Sequence, residues 1–94
     1  KVRACDTMGY GVNYPGAVIP RSVQGIIYAL HTHAGVPHEW IEWHGHNDFY
    51  RAVANSTSAW LYGCSSVNCS LFGIGERTGN TPLEAMVFAS RLNS

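Results

Sequence analysis

Trp40-Ile41-Glu42-Trp43-His44-Gly45-His46-Asn47-Asp48 is the stretch on which the fold turns. Trp40, Ile41 and Trp43 bring the aromatic and β-branched side chains that suit a strand. A helical stretch follows, with Asp48 able to cap it, Ala52, Val53, Trp60 and Leu61 as packing residues and Gly63 as its end. The same strand-then-helix order lies on either side. Upstream, Val2 to Cys5 is a short apolar-leaning run that ends in the loop-like residues 9–16. A helix is expected to open at Pro20, whose missing N–H is tolerated in a first turn. Val23, Ile26, Ile27 and Leu30 form one apolar stripe at i, i+3, i+4 and i+7, and Gly35 and Pro37 stop it. Downstream, a third strand is expected from Ser65 to Phe72, then a glycine-rich loop over 73–80. In the last helix Thr81-Pro82-Leu83-Glu84 has the Thr-x-x-Glu form of a capping box, with Pro82 at the first helical position.

Strands alternating with helices imply an α/β fold of three parallel strand–helix units joined by right-handed crossovers. Residues 1–94 read as one domain, without a linker, low-complexity tract or close repeat. Ligands of such folds sit at the carboxyl ends of the strands. That directs attention to Asp6-Thr7, His44-Gly45-His46 and residues 75–80.

His44 and His46 are two apart. On a strand such residues share a face, so both imidazoles can converge on one cation. Gly45 leaves room on the opposite side, and Asn47 and Asp48 are candidates to orient the rings. The pair alone reads equally as ordinary polar loop histidines. His31-Thr32-His33 is an internal control: at a helix end, positions i and i+2 face nearly opposite ways. His31, His33 and His38 are therefore read as structural or exposed, the first two offsetting a helix dipole. Asn80 can supply an oxygen to a cation or can cap the last helix. Glu76 and Arg77 can form a surface ion pair of little energetic weight. Gly73, Gly75 and Gly79 do not fit the dinucleotide pattern. Two histidines do not complete a catalytic centre, which uses three or four protein ligands.

Composition narrows the classes. Of the 94 residues, 46% are hydrophobic and 13% charged, which is globular rather than disordered. Six basic and six acidic residues give zero formal charge, so nothing attracts nucleic acid or an anionic membrane. No apolar run approaches the roughly 18 residues of a membrane-spanning helix. Lys1 stands without an initiator Met or a signal-peptide pattern, which suggests a fragment or a processed chain. Cys5, Cys64 and Cys69 are odd in number and form no CxxC pair, so reduced thiols in a cytoplasmic setting are the simpler reading. Asn55-Ser56-Thr57 and Asn68-Cys69-Ser70 match the glycosylation pattern by chance on that reading.

At this point the motifs resemble a known family. His44-Gly45-His46-Asn47-Asp48, followed by the run from Gly73 to Glu84 with its Gly75-Glu76-Arg77 and Gly79-Asn80-Thr81-Pro82, looks like the isopropylmalate/homocitrate synthase group. That group belongs to the barrel superfamily that also holds hydroxymethylglutaryl-CoA lyase. Asp6-Thr7-Met8-Gly9 matches its Asp-Thr-x-Gly motif, and residues 44–64 look most similar to the Re-face citrate synthase branch.

The resemblance implies a (β/α)₈ TIM barrel, with this chain covering strands five to seven and their helices. It implies an acyltransferase that condenses acetyl-CoA with a 2-oxo acid at a divalent metal (zinc, manganese or magnesium), homodimeric at full length. His44 and His46 would be metal ligands, Asn80 would lie at or beside the metal, and Thr7 would hydrogen-bond the 2-oxo acid's carboxylate. Gly75-Glu76-Arg77 favours the synthases over the lyase. Tyr50 departs from the glycine most members carry there. The family's Asp-Arg-Glu motif, which supplies an acidic ligand, does not occur in this sequence, and neither general base nor complete acyl-CoA site is recognisable. The 94 residues alone are therefore expected to show no turnover. A lyase or aldolase running the reverse cleavage, and a non-catalytic α/β segment, are the alternatives.

Overall fold

The structure, a computed structural model, describes residues 1–14, 17, 21–75 and 77–92. Among them, three parallel strands form one sheet in the order β1 (Val2–Asp6), β2 (Ile41–Gly45) and β3 (Ser66–Val67). Val2 pairs with Ile41 and Cys5 with His44 on one side of β2; Glu42 pairs with Ser66 on the other. Helices α1 (Val23–Tyr28), α2 (Ala52–Leu61) and α3 (Leu83–Leu92) follow the strands in turn. This is the expected three-unit α/β order.

Alternation along β2 decides which face is which. Ile41, Trp43 and Gly45 are buried, while Glu42 and His44 between them are half-buried. Ile41 and Trp43 join Val23 and Ile27 of α1, Ala59 of α2 and Cys64 in the core, with Ala4, Ile26, Leu30, Val36, Trp60 and Val67 packed around them. Burial pushes the Cys64 thiol up to about 11, so it packs as a small apolar group. Helices cover this face of the sheet. Lys1, Arg3, Cys5, Glu42 and His44 point to the other, where no helix is packed among the described residues.

Helix starts differ from expectation in instructive ways. Pro20 lies outside the described residues; α1 begins at Val23, and Ser22 Oγ accepts from Gly25 N at 2.9 Å. At α2 the holding side chain is Asn47, whose Oδ1 accepts from Ala52 N at 3.1 Å, and not Asp48, which faces Arg77 instead. Leu61 is exposed rather than packed, because the helix turns it outward at its last residue. The capping box before α3 does not form. Thr81 Oγ1 is taken by a buried bond to Ser56 Oγ at 2.8 Å, and Glu84 Oε1 accepts from Phe72 N.

The third strand is much shorter than Ser65 to Phe72. After Asn68 N bonds Trp43 O, the backbone leaves β2: Ser70 N donates to Thr81 O, and Leu83 N donates to Ser70 O. Leu71–Gly73 is a 3-10 turn in which Phe72 has φ +55°. The chain thus pairs with the approach to α3 where it was expected to extend the sheet. At the opposite edge, the outer side of β1 has no strand paired to it among the described residues, and a cleft of about 320 Å³ lined by Val2, Ala4, Ile26, Leu30 and Trp43 runs beside it. Phe72, Ile74 and Phe88 are exposed at the β3–α3 side. Open edges and apolar flanks of this kind suit further strand–helix units on either side.

Candidate metal centre

His44 lies near the end of β2 on the uncovered face, and His46 follows it where the backbone bridges to Asn80. His46 N donates to Asp6 O at 3.1 Å, which prolongs the β1–β2 pairing and holds both rings at the strands' carboxyl ends. The Asp6 carboxylate accepts from Tyr10 N and Gly11 N at 2.9 Å each, which shapes the loop after β1. The two imidazoles stand edge to face, with centroids 5.2 Å apart and planes at 72°.

That separation can be tested against a shared cation. With metal–nitrogen bonds of about 2.0–2.1 Å and a ring nitrogen about 1.1 Å from its centroid, two rings at a tetrahedral angle have centroids about 5.2 Å apart. The observed spacing equals that value, and it is also the spacing of an ordinary edge-to-face ring pair. The donors are imidazole nitrogens with amide side chains beside them, a set that does not choose among zinc, manganese and magnesium.

Asn80 lies beside His46. Its Nδ2 is 3.4 Å from both ring nitrogens of His46, so the amide nitrogen, not the oxygen, is nearest the ring here. Turning the amide over presents the oxygen, and the two atoms have nearly the same shape. Gly75 makes this position possible: a Cβ there would collide with Asn80 Oδ1. The room expected behind Gly45 is not empty, since a Cβ there would meet Trp43 Nε1 at 2.9 Å.

Arg77 does more than the surface pairing foreseen for it; Glu76 lies outside the described residues. Arg77 Nε donates to Asp48 Oδ2 at 2.8 Å, and Nη2 donates to the Thr7 carbonyl at 2.6 Å. One guanidinium thereby ties together the loops that follow β1, β2 and β3. Thr7 is exposed at this junction. Asn47 and Asp48, expected to orient the histidines, are occupied with Ala52 and Arg77. The neighbour of His44 is Asn68, whose Oδ1 lies 3.3 Å from Nδ1. Along the sequence Asn68 stands out only as part of a glycosylation pattern; the strand register, which puts it beside His44, is the signal that a linear reading lacks.

The control histidines behave differently. His31 and His38 stack with centroids 3.6 Å apart, their Nδ1 atoms on the carbonyls of Val36 and Gly63, while His33 stands edge-on to Tyr28. His31, His33 and His38 are all exposed. Burial raises the Cys69 thiol above its ordinary 9.0, so neither it nor Cys64 offers a thiolate at neutral pH. Among the described residues no three His, Cys, Asp or Glu side chains are placed to hold one ion.

Parallel strands with crossover helices, and polar groups gathered at the strands' carboxyl ends, define an α/β segment of the kind from which barrels and open sheets are both built. The family model described as HMGL-like matches residues 2–93, and the chain belongs to that family. It is 68% identical over 88 residues to a Citrate (Re)-synthase of Clostridium kluyveri, covering 94% of this chain and 19% of that protein. A Citrate (Re)-synthase of Syntrophus aciditrophicus is 58% identical over 93% of the chain and 14% of its own length. A 2-isopropylmalate synthase of Methanocaldococcus jannaschii is 40% identical over 93% of the chain and 17% of its own length. The chain thus spans a fifth or less of these relatives. Among the described residues no helix is long and apolar enough to cross a membrane.

Proposed function

We propose that the protein of which these residues form strands five to seven is a Re-face citrate synthase. It condenses acetyl-CoA with oxaloacetate, a 2-oxo acid, at a divalent metal. The observation that supports this reading is the nearness of His44 and His46 at the strands' carboxyl ends, with ring centroids at a distance compatible with one shared cation. The 68% identity to a Citrate (Re)-synthase supports the choice of 2-oxo acid.

In this reading His44 and His46 are two metal ligands, and Asn80 contributes its amide beside them. A divalent cation held by these residues would supply polarisation of the keto group and stabilisation of the charge that develops there. Thr7 is assigned the 2-oxo acid's carboxylate. Arg77, bonded to Asp48 and to the Thr7 carbonyl, supports this by tying together the loops that carry Thr7 and the histidines. The acidic ligand, the base that takes the acetyl-CoA methyl proton, and the rest of the acyl-CoA site come from other parts of the barrel. Hydrolysis of the thioester then releases CoA. For that reason the 94 residues by themselves turn nothing over. The whole enzyme is a homodimer acting in the cytoplasm.

The test is CoA release by the purified full-length protein, given acetyl-CoA and a panel of 2-oxo acids. Oxaloacetate should give citrate carrying the acetyl label in the arm opposite to that labelled by a Si-face synthase. Preference for 2-oxoisovalerate or 2-oxoglutarate would reassign the substrate. Faster cleavage of a preformed hydroxyacyl-CoA than any condensation would replace the synthase with a lyase.

A further inference from the structure

We infer that Asn68 and Glu42 are positioning residues that decide which nitrogen of His44 faces the cation; the inference rests on the metal reading above. Glu42 precedes His44 by two residues on β2 and shares its face, the one away from the helices. Its carboxylate is paired with Arg3 at 3.5 Å and Lys1 at 3.9 Å. A carboxylate so paired accepts hydrogen bonds and does not donate them. Asn68 Nδ2 lies 3.4 Å from Glu42 Oε1. The amide nitrogen must therefore be the atom that faces Glu42, because an amide oxygen there would set acceptor against acceptor.

This fixes the other end of the amide. Asn68 Oδ1, 3.3 Å from His44 Nδ1, has only lone pairs to offer, so Nδ1 must carry the ring proton. A neutral imidazole protonated on Nδ1 keeps its lone pair on Nε2. The ring is thus committed to one tautomer before any ion binds, which spares the ion the cost of selecting it. Backbone geometry holds the relay in place. Trp43 pairs with Val67, so the next residues in register are His44 and Asn68, and Asn68 N bonds Trp43 O at 2.9 Å. Because the partner is a neutral amide rather than a carboxylate, it orients the ring without adding negative charge to the ligand set.

The experiment is ¹⁵N NMR of histidine-labelled, metal-free full-length protein at pH 8, together with Mn²⁺ affinity by calorimetry. In the wild type His44 should be protonated on Nδ1. Asn68→Leu should populate both tautomers and weaken Mn²⁺ binding about 10- to 100-fold, the usual cost of losing an outer partner of a metal-bound histidine. Asn68→Asp alone would set a carboxylate oxygen against Glu42 Oε1, so the rescue is the double variant Asn68→Asp with Glu42→Gln, which presents an oxygen to Nδ1 and a donor to residue 68 and should restore the Nδ1 tautomer. Glu42→Gln removes the lock on the amide while leaving Asn68 in place, and should mix the tautomers even if Asn68→Leu folds poorly. A wild-type His44 protonated on Nε2, or a tautomer indifferent to both Asn68→Leu and Glu42→Gln, overturns the relay. If the tautomer responds as expected but wild type takes up no Mn²⁺, the metal reading fails and the relay stands.

Discussion

Replacing His44 and His46 together with alanine strips the divalent metal from the full-length protein and lowers condensation by about a thousandfold or more. This magnitude follows from what the metal supplies: several kcal/mol of charge stabilisation, of which about 4 kcal/mol corresponds to about 10³ in rate. Stability should change much less than activity. His44 and His46 line the face of the sheet that carries no helix, and neither belongs to the core formed by Val23, Ile27, Ile41, Trp43, Ala59 and Cys64. Metal content by elemental analysis and CoA release, with thermal melting as the control, checks this. A double variant that keeps its metal and its rate would favour a non-catalytic histidine pair.

Trp43→Ala has the largest expected effect on folding. Trp43 is the largest side chain in the core, 1% exposed, and sits on the middle strand under α1 and α2. Truncating so large a buried ring costs about 3–5 kcal/mol in lost transfer energy and cavity. A whole domain holds only about 5–15 kcal/mol. Urea unfolding of the full-length protein should show a clearly lowered midpoint. Trp43→Phe should cost less, since it keeps much of the volume and removes an indole N–H that has no partner among the described residues. An unchanged midpoint for Trp43→Ala would mean that the core does not depend on this layer.

How much of this was legible in the sequence follows from the range of the forces involved. The aromatic and β-branched character of Ile41 and Trp43 and the stripe Val23, Ile26, Ile27, Leu30 are local patterns, and both strand and helix stand where those patterns put them. The same locality explains the errors. Thr81 looks like a cap when only its neighbours are read, yet its hydroxyl is claimed by Ser56, 25 residues away. Asp48 looks like a cap for the same reason and is claimed by Arg77, 29 residues away. The third strand looks longer than it is because residues 69–72 pair with the approach to α3 instead of continuing along β2.

The candidate site divides in the same way. His44 and His46 could be found because two side chains on one strand face need no knowledge of the rest of the chain. Asn68 and Glu42 could not, because their role exists only once β3 is set beside β2 in register. Arg77 falls between: its motif was visible, but its hold on Thr7 and Asp48 depends on three loops meeting at one end of the sheet.

The most direct measurement is anomalous diffraction from crystals of the full-length protein loaded with manganese or zinc. The predicted result is one peak about 2.0–2.2 Å from a ring nitrogen of His44 and equally close to one of His46. A peak bound to only one of these rings, or a fully loaded metal seated away from both, would contradict the account.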